Sequence, residues 1–274
     1  MYQKPTVPRS IGGVLDDTFQ LYKASFSSCW LPMLILGLVG AASALYRFSN
    51  VPPVAPGTGL RDILLQFQAT PRGYQAVNLL VMVLDLVLYA VLFVNIVAVT
   101  RGETPSFGAS LTTALRRTPA LILATIMFLL AVLVGTILLI VPGIYVWNRM
   151  QLFMVPLVTG PEGPGTSLST SWRLVGGHWW RTAMLVFVML AILYVLDLAL
   201  VALAGAIAAV VHGGASNLAQ SAGSFVMGSI VISAIVGIFT TPLFAAVFVT
   251  VYQDLLLRKG GGDLEARLGA LPEG

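Results

Sequence analysis

Three ionisable residues stand inside long apolar runs: Asp85, Arg149 and Asp197. A charge in the hydrocarbon of a bilayer is costly and faces protein or water rather than lipid. An arginine between two aspartates can offer one edge of its guanidinium fork to each carboxylate. Counted from the ends of the runs that hold them, all three residues fall at middle to outer depth, so they are expected to meet. Asn78, Asn95 and Asn148 would add hydrogen-bonding groups to this intramembrane polar network. Such a network can fix helix register, or it can line a polar cavity for an anionic headgroup, a proton or a solute. In a third arrangement Arg149 snorkels outward and pairs with neither aspartate.

Other chemistry finds little support in the residue types. A metal site needs clustered histidine, cysteine or carboxylate ligands. The two histidines, His178 and His212, fall on opposite predicted sides of the membrane. The lone Cys29 cannot form an intramolecular disulfide. No zinc-protease motif, phosphate-binding loop or nucleophile elbow occurs. The expectation is therefore no catalytic residue, no metal, no cofactor and no enzyme activity. Nucleic-acid binding is also not expected, because the chain offers no soluble basic surface.

The elements that must position the polar residues follow from composition. Of 274 residues, 57% are hydrophobic and 9% charged, against about 25% charged in a soluble domain. Apolar runs long enough to cross a roughly 30 Å hydrocarbon core recur along the chain. Backbone groups in lipid must be satisfied internally, so the spans should be helices. The expected fold is all-α, a single polytopic transmembrane domain with six spans near 30–48, 76–100, 118–140, 144–159, 182–211 and 225–257. Pro142-Gly143 would make the outer turn between the third and fourth spans, because proline removes a helical hydrogen bond and glycine permits a turn. A recessed turn there would leave a dimple over Arg149.

Orientation follows from lysine and arginine near the span ends. Eleven lie on one predicted side and three on the other, with Arg149 inside the apolar region. Both termini are thus expected in the cytoplasm, in a bacterial inner membrane. The first apolar run begins too far from Met1 for a cleavable signal peptide. Three stretches of mixed polarity precede spans one, three and five, near 14–28, 106–117 and 166–177. Leu168, Trp172 and Val175, like Phe107, Leu111, Ala114 and Leu115, recur at helical spacing, the pattern of a helix lying in the interface. One interfacial helix and two crossings, three times over, would be an internal repeat of the kind transporters use. Arg116, Arg117, Arg173 and Arg181, with Trp179, sit at the level of lipid headgroups. Asp254 has Arg258 one turn on. An outer-side helix near 59–69 is expected from Leu60, Ile63, Leu64 and Phe67.

The second half of the chain carries Pro142-Gly143-Ile144-Tyr145, Arg149, Pro156, Ser171-Trp172-Arg173-Leu174, Trp179-Trp180-Arg181 and the closing VYQDLLLRKGG. In these the chain resembles a bacterial multi-pass family that includes the membrane domain of some glycerophosphoryl diester phosphodiesterases. The resemblance implies six transmembrane helices with interfacial elements. It transfers no catalytic residue, because the phosphodiesterase chemistry of those fusions belongs to a separate soluble domain. The expected function is a membrane protein that binds or organises lipid or another amphiphile, or assists a protein partner or a second copy of itself. Two alternatives are a small-molecule or ion transporter working through Asp85, Arg149 and Asp197, and a purely structural subunit.

Overall fold

A computed structural model describes residues 2–50, 59, 61, 62, 65, 71–211 and 222–269. The described elements are helices: α1 (Ile11–Asn50), α2 (Arg72–Thr100), α3 (Phe107–Leu138), α4 (Ile140–Met150), a 3-10 turn (Gln151–Phe153), α5 (Met154–Thr159), α6 (Pro164–Val175), α7 (Trp179–Val211) and α8 (Ala222–Gly269). Five segments are long and apolar enough to cross a membrane: Ile11–Asn50, Arg72–Thr100, Phe107–Leu138, Trp179–Leu203 and Gly228–Gly260. The chain is an all-α membrane protein. The outer-side helix expected near 59–69 lies almost wholly outside the described residues, as does His212.

The fourth expected span, 144–159, is not one helix. It is α4, a 3-10 turn and α5 in sequence. Pro156 has no N–H to give Leu152 and its ring crowds that carbonyl, so the ladder cannot run unbroken through this point. The reversal before α4 also differs from expectation. Leu139 alone leaves the helical region, at φ −166° and ψ 150°. Pro142 sits in the first turn of α4, where a missing N–H costs nothing. Gly143 makes no turn. A Cβ there would meet the Thr136 backbone at 2.9 Å, and one on Gly135 would meet Gly143 at 3.1 Å. The two glycines let α3 and α4 close on each other. In lipid, where burial from water drives little, such close backbone approach is a main source of helix association.

Two of the three expected interfacial helices, 14–28 and 106–117, are continuous with the helices that follow, in α1 and α3. The third stands apart as α6. The reason is local: Gly176-Gly177 follows it, and Gly177 adopts φ +86°, a left-handed conformation that glycine takes without steric cost. No comparable break follows the other two stretches.

The expected single domain divides into two compact units. The first comprises Met1–Pro32, Leu86–Leu193 and Thr240–Gly274. In it Val14, Leu21 and Cys29 of α1 are buried along one stripe, with Thr18 and Ser25 between them. The Asn95 side chain donates to Ser28 O at 2.8 Å, and the Thr18 and Thr250 hydroxyls lie 2.7 Å apart. Gln253 donates to the Thr100 hydroxyl at 3.1 Å. A second cluster joins Val87, Ala90 and Val91 of α2 to Ala114, Leu121 and Ala124 of α3, Phe153, Leu157 of α5 and Leu168 of α6. The second unit comprises Met33–Asp85 and Tyr194–Phe239. There a Cβ on Gly37 would run into the Ile238 side chain, and Tyr46 stacks on Tyr74 with ring centroids 5.5 Å apart.

Candidate functional site

The site begins with a break and the serine that heals it. Between α4 and the 3-10 turn, Leu152 N–H finds the Ser171 hydroxyl at 3.2 Å, and that hydroxyl donates to Arg149 O at 2.9 Å. Ser171 is fully buried on the inner face of α6, with Ser167, Leu168, Leu174 and Val175. Insertion of a side chain into the ladder is a recognised cause of helix interruption. The Asn148 amide spans the same region. It donates to Trp179 O at 3.1 Å and accepts from Gln151 at 2.6 Å. These bonds fix α4, α6 and the start of α7 together and determine where the Arg149 side chain goes.

Arg149 goes into an aromatic cage. Its guanidinium carbon lies 4.3 Å from the Trp172 ring centroid and 5.4 Å from that of Tyr145. Its Nη1 donates to the Tyr145 hydroxyl at 2.8 Å. Tyr145 in turn stacks on Trp179 at 5.8 Å, and Trp179 meets Trp180 edge-on at 4.7 Å. Gly176 leaves room for the guanidinium, since a Cβ there would collide with Nη2. The Arg149 Nε is buried and has no hydrogen-bond partner. A cation over an aromatic face gains about 0.5–2 kcal/mol, which holds the group but does not neutralise it.

Two further cations join this cage. Lys259, at the end of the apolar span of α8, donates through Nζ to Arg173 O, and both Arg149 and Arg173 are close enough to act on its charge. The Arg173 side chain reaches the Thr170 hydroxyl at 3.5 Å, and Thr170 donates to Glu162 at 3.1 Å. Glu162 is thus one hydroxyl removed from Arg173. The ion pairs among the described residues are Arg9–Asp17, Arg181–Asp254 and Arg258–Asp254. None belongs to the cage.

The expected Asp85–Arg149–Asp197 network is not seen among the ion pairs of the described residues. Arg149 belongs to the first compact unit, Asp85 and Asp197 to the second, and Arg149 binds aromatic rings rather than a carboxylate. Its depth also changes. Arg149 lies at the far end of α4, about 14 Å from the helix start at 1.5 Å per residue, against Trp172 and close to Lys259. The dimple expected over it at the Pro142-Gly143 turn does not form there. The asparagines are dispersed: Asn78 donates to Tyr74 O within its own helix, Asn95 serves α1, and Asn148 holds the cage from behind. Arg117 is not free for a headgroup. It donates to Gly160 O at 2.7 Å and Glu162 O at 3.3 Å, capping the C-terminus of α5. Arg116 is exposed.

The family model for a domain of unknown function, DUF7847, matches residues 53–255. The chain belongs to that family. No curated protein and no solved structure matches it. In this DUF7847 chain the matched region holds the whole cage except Lys259.

A second polar cluster in the same unit involves Arg181, which was expected to meet a headgroup. Instead Asp254, 5% exposed, accepts from Arg181 Nε at 3.0 Å, Arg258 Nε at 2.9 Å and Arg9 N–H at 3.0 Å. Both arginines also donate to Arg9 O at 2.6 Å. The segment before α1 is thus fastened to the start of α7 and the end of α8 through one carboxylate and one peptide. Arg9 lies 3.6 Å from Asp17. Nearby, burial with Asp17 adding to it pushes the Tyr2 phenol up to about 12. Each arginine of this knot meets a carboxylate, whereas among the described residues Arg149 meets none.

Sequence reasoning singled out Arg149, Asn148, Arg173 and Trp179 but not their connection. Tyr145, Ser171, Trp172, Gly176 and Lys259 were missed as cage members. The Tyr145–Arg149 spacing of one helical turn was the available signal.

Proposed function

We propose that this protein is an inner-membrane lipid-binding or lipid-organising protein, with both termini cytoplasmic, that holds the anionic headgroup of an amphiphile at the Arg149 cage. The observation that carries this is Arg149 itself: a cation held on Trp172 and Tyr145, with its Nε unpaired and, among the described residues, no carboxylate in contact. Planar guanidinium groups are suited to phosphate because two N–H groups can meet two oxygens. The surroundings suit the rest of an amphiphile. Tyr145 is 40% exposed, Ile144 53% and Trp180 75%, which leaves apolar surface beside the cation for an acyl chain. Aromatic rings with a polar edge favour the headgroup level.

The test is retention of lipid by the purified protein, read by native mass spectrometry from nanodiscs of mixed zwitterionic and anionic lipid. Wild type is expected to keep anionic lipid. Arg149→Gln is expected to lose it by about tenfold, since a charge-assisted bond of about 1.5–3 kcal/mol is removed. Arg149→Lys restores charge without the planar fork and should recover only part. Equal retention by wild type and Arg149→Gln would sink the proposal.

A further inference from the structure

We infer that the headgroup recognised at this site is a phosphomonoester dianion rather than a phosphodiester monoanion. The inference rests on the headgroup reading of the Arg149 cage and names its ligand class. In the other polar cluster of this unit each arginine meets a carboxylate: Asp254 meets Arg181 and Arg258, and Asp17 meets Arg9. At the cage three cations, Arg149, Arg173 and Lys259, face one carboxylate, Glu162, which reaches Arg173 only through Thr170. Among the described residues two positive charges are left over. A phosphodiester headgroup carries one negative charge and would leave one cation unanswered. A zwitterionic headgroup brings its own ammonium into a field that repels it. A phosphomonoester carries close to two negative charges at neutral pH and three acceptor oxygens, so one group can answer both.

Lys259 uses one of its three N–H groups on Arg173 O, and the rest of the ammonium is available. Arg149 has bonded Nη1 to Tyr145 and its Nε is buried without a hydrogen-bond partner, so what it brings to the site is an unpaired charge. The Arg173 guanidinium makes only the long 3.5 Å contact with Thr170. All three come from different elements, so no single helix terminus or charge run explains their convergence.

Binding is measured in nanodiscs carrying either phosphatidic acid or phosphatidylglycerol in a phosphatidylcholine background. At pH 8 phosphatidic acid is expected to bind about fivefold more tightly, the effect of one more charge at contact distance near a surface. The preference should shrink below pH 6, as the second phosphate proton returns. Lys259→Gln, at an exposed position of α8, should bring the two lipids near parity without unfolding the protein. Soluble glycerol 3-phosphate is run as a competitor. Competition at millimolar concentration supports the phosphomonoester class with a soluble source, and failure to compete alongside tight phosphatidic acid binding supports it with a lipid source. Equal binding of the two lipids, or tighter phosphatidylglycerol, overturns the phosphomonoester assignment and leaves the headgroup reading standing. Binding of neither lipid, unchanged in Arg149→Gln, overturns that reading itself.

Discussion

At the scale of single residues, the chain separates two kinds of partly buried arginine. Arg181 and Arg258 share the Asp254 carboxylate, whereas Arg149 is held on aromatic rings with no carboxylate among the described residues. The first kind holds the protein together and the second is open to an outside anion. This difference sets a prediction about stability. Asp254→Ala strips three donors of their acceptor in a site that is 5% exposed, so thermal unfolding in detergent should show a loss of about 3 kcal/mol or more. Headgroup binding at the cage should survive at temperatures where the variant is folded. A loss below about 0.5 kcal/mol would mean that the knot is not a structural joint. Sequence alone showed that Asp254 and Arg258 could pair at one helical turn. It could not show Arg181 or the Arg9 peptide joining them, because those contacts span 73 and 245 residues of chain.

At the scale of elements, the α3–α4 hairpin and the interrupted helix after it carry the site. The hairpin depends on the absence of two side chains. Gly143→Ala should force α4 away from Thr136 of α3 and cost about 1–3 kcal/mol, the usual range for overpacking, measured by thermal unfolding. Gly135→Ala, at a looser 3.1 Å contact, should cost less. Equal stability of Gly143→Ala and wild type would contradict this packing. The long apolar helices were legible from hydropathy because a bilayer imposes length and composition together. The interrupted span was not. Its apolar run is continuous, and only Pro156 and the small, buried Ser171 mark the place where tertiary bonds replace the helical ladder. Pro142-Gly143 looked like the turn because both residues break helices, yet proline is equally at home in a first turn and glycine in a close helix contact. The three mixed-polarity stretches looked alike, and only the one followed by Gly176-Gly177 became a separate helix.

At the scale of the whole molecule, most of the exposed surface is apolar because lipid is its solvent, so exposed leucines along α3 need no partner. What stands out against that surface is the convergence of Arg149, Arg173 and Lys259 with Tyr145, Trp172 and Trp179 in one compact unit. A meeting of Asp85, Arg149 and Asp197 was reasoned from depth along single helices, and depth along a helix does not say which neighbours a side chain will face. The most direct measurement is an experimental structure in nanodiscs containing anionic lipid, at a resolution that shows headgroups. It should show phosphate density within hydrogen-bond distance of Arg149, with Lys259 and Arg173 beside it and the acyl chain leaving past Ile144 and Trp180. A structure in which Arg149 pairs with Asp85 or Asp197, with no headgroup density at Trp172, would contradict it.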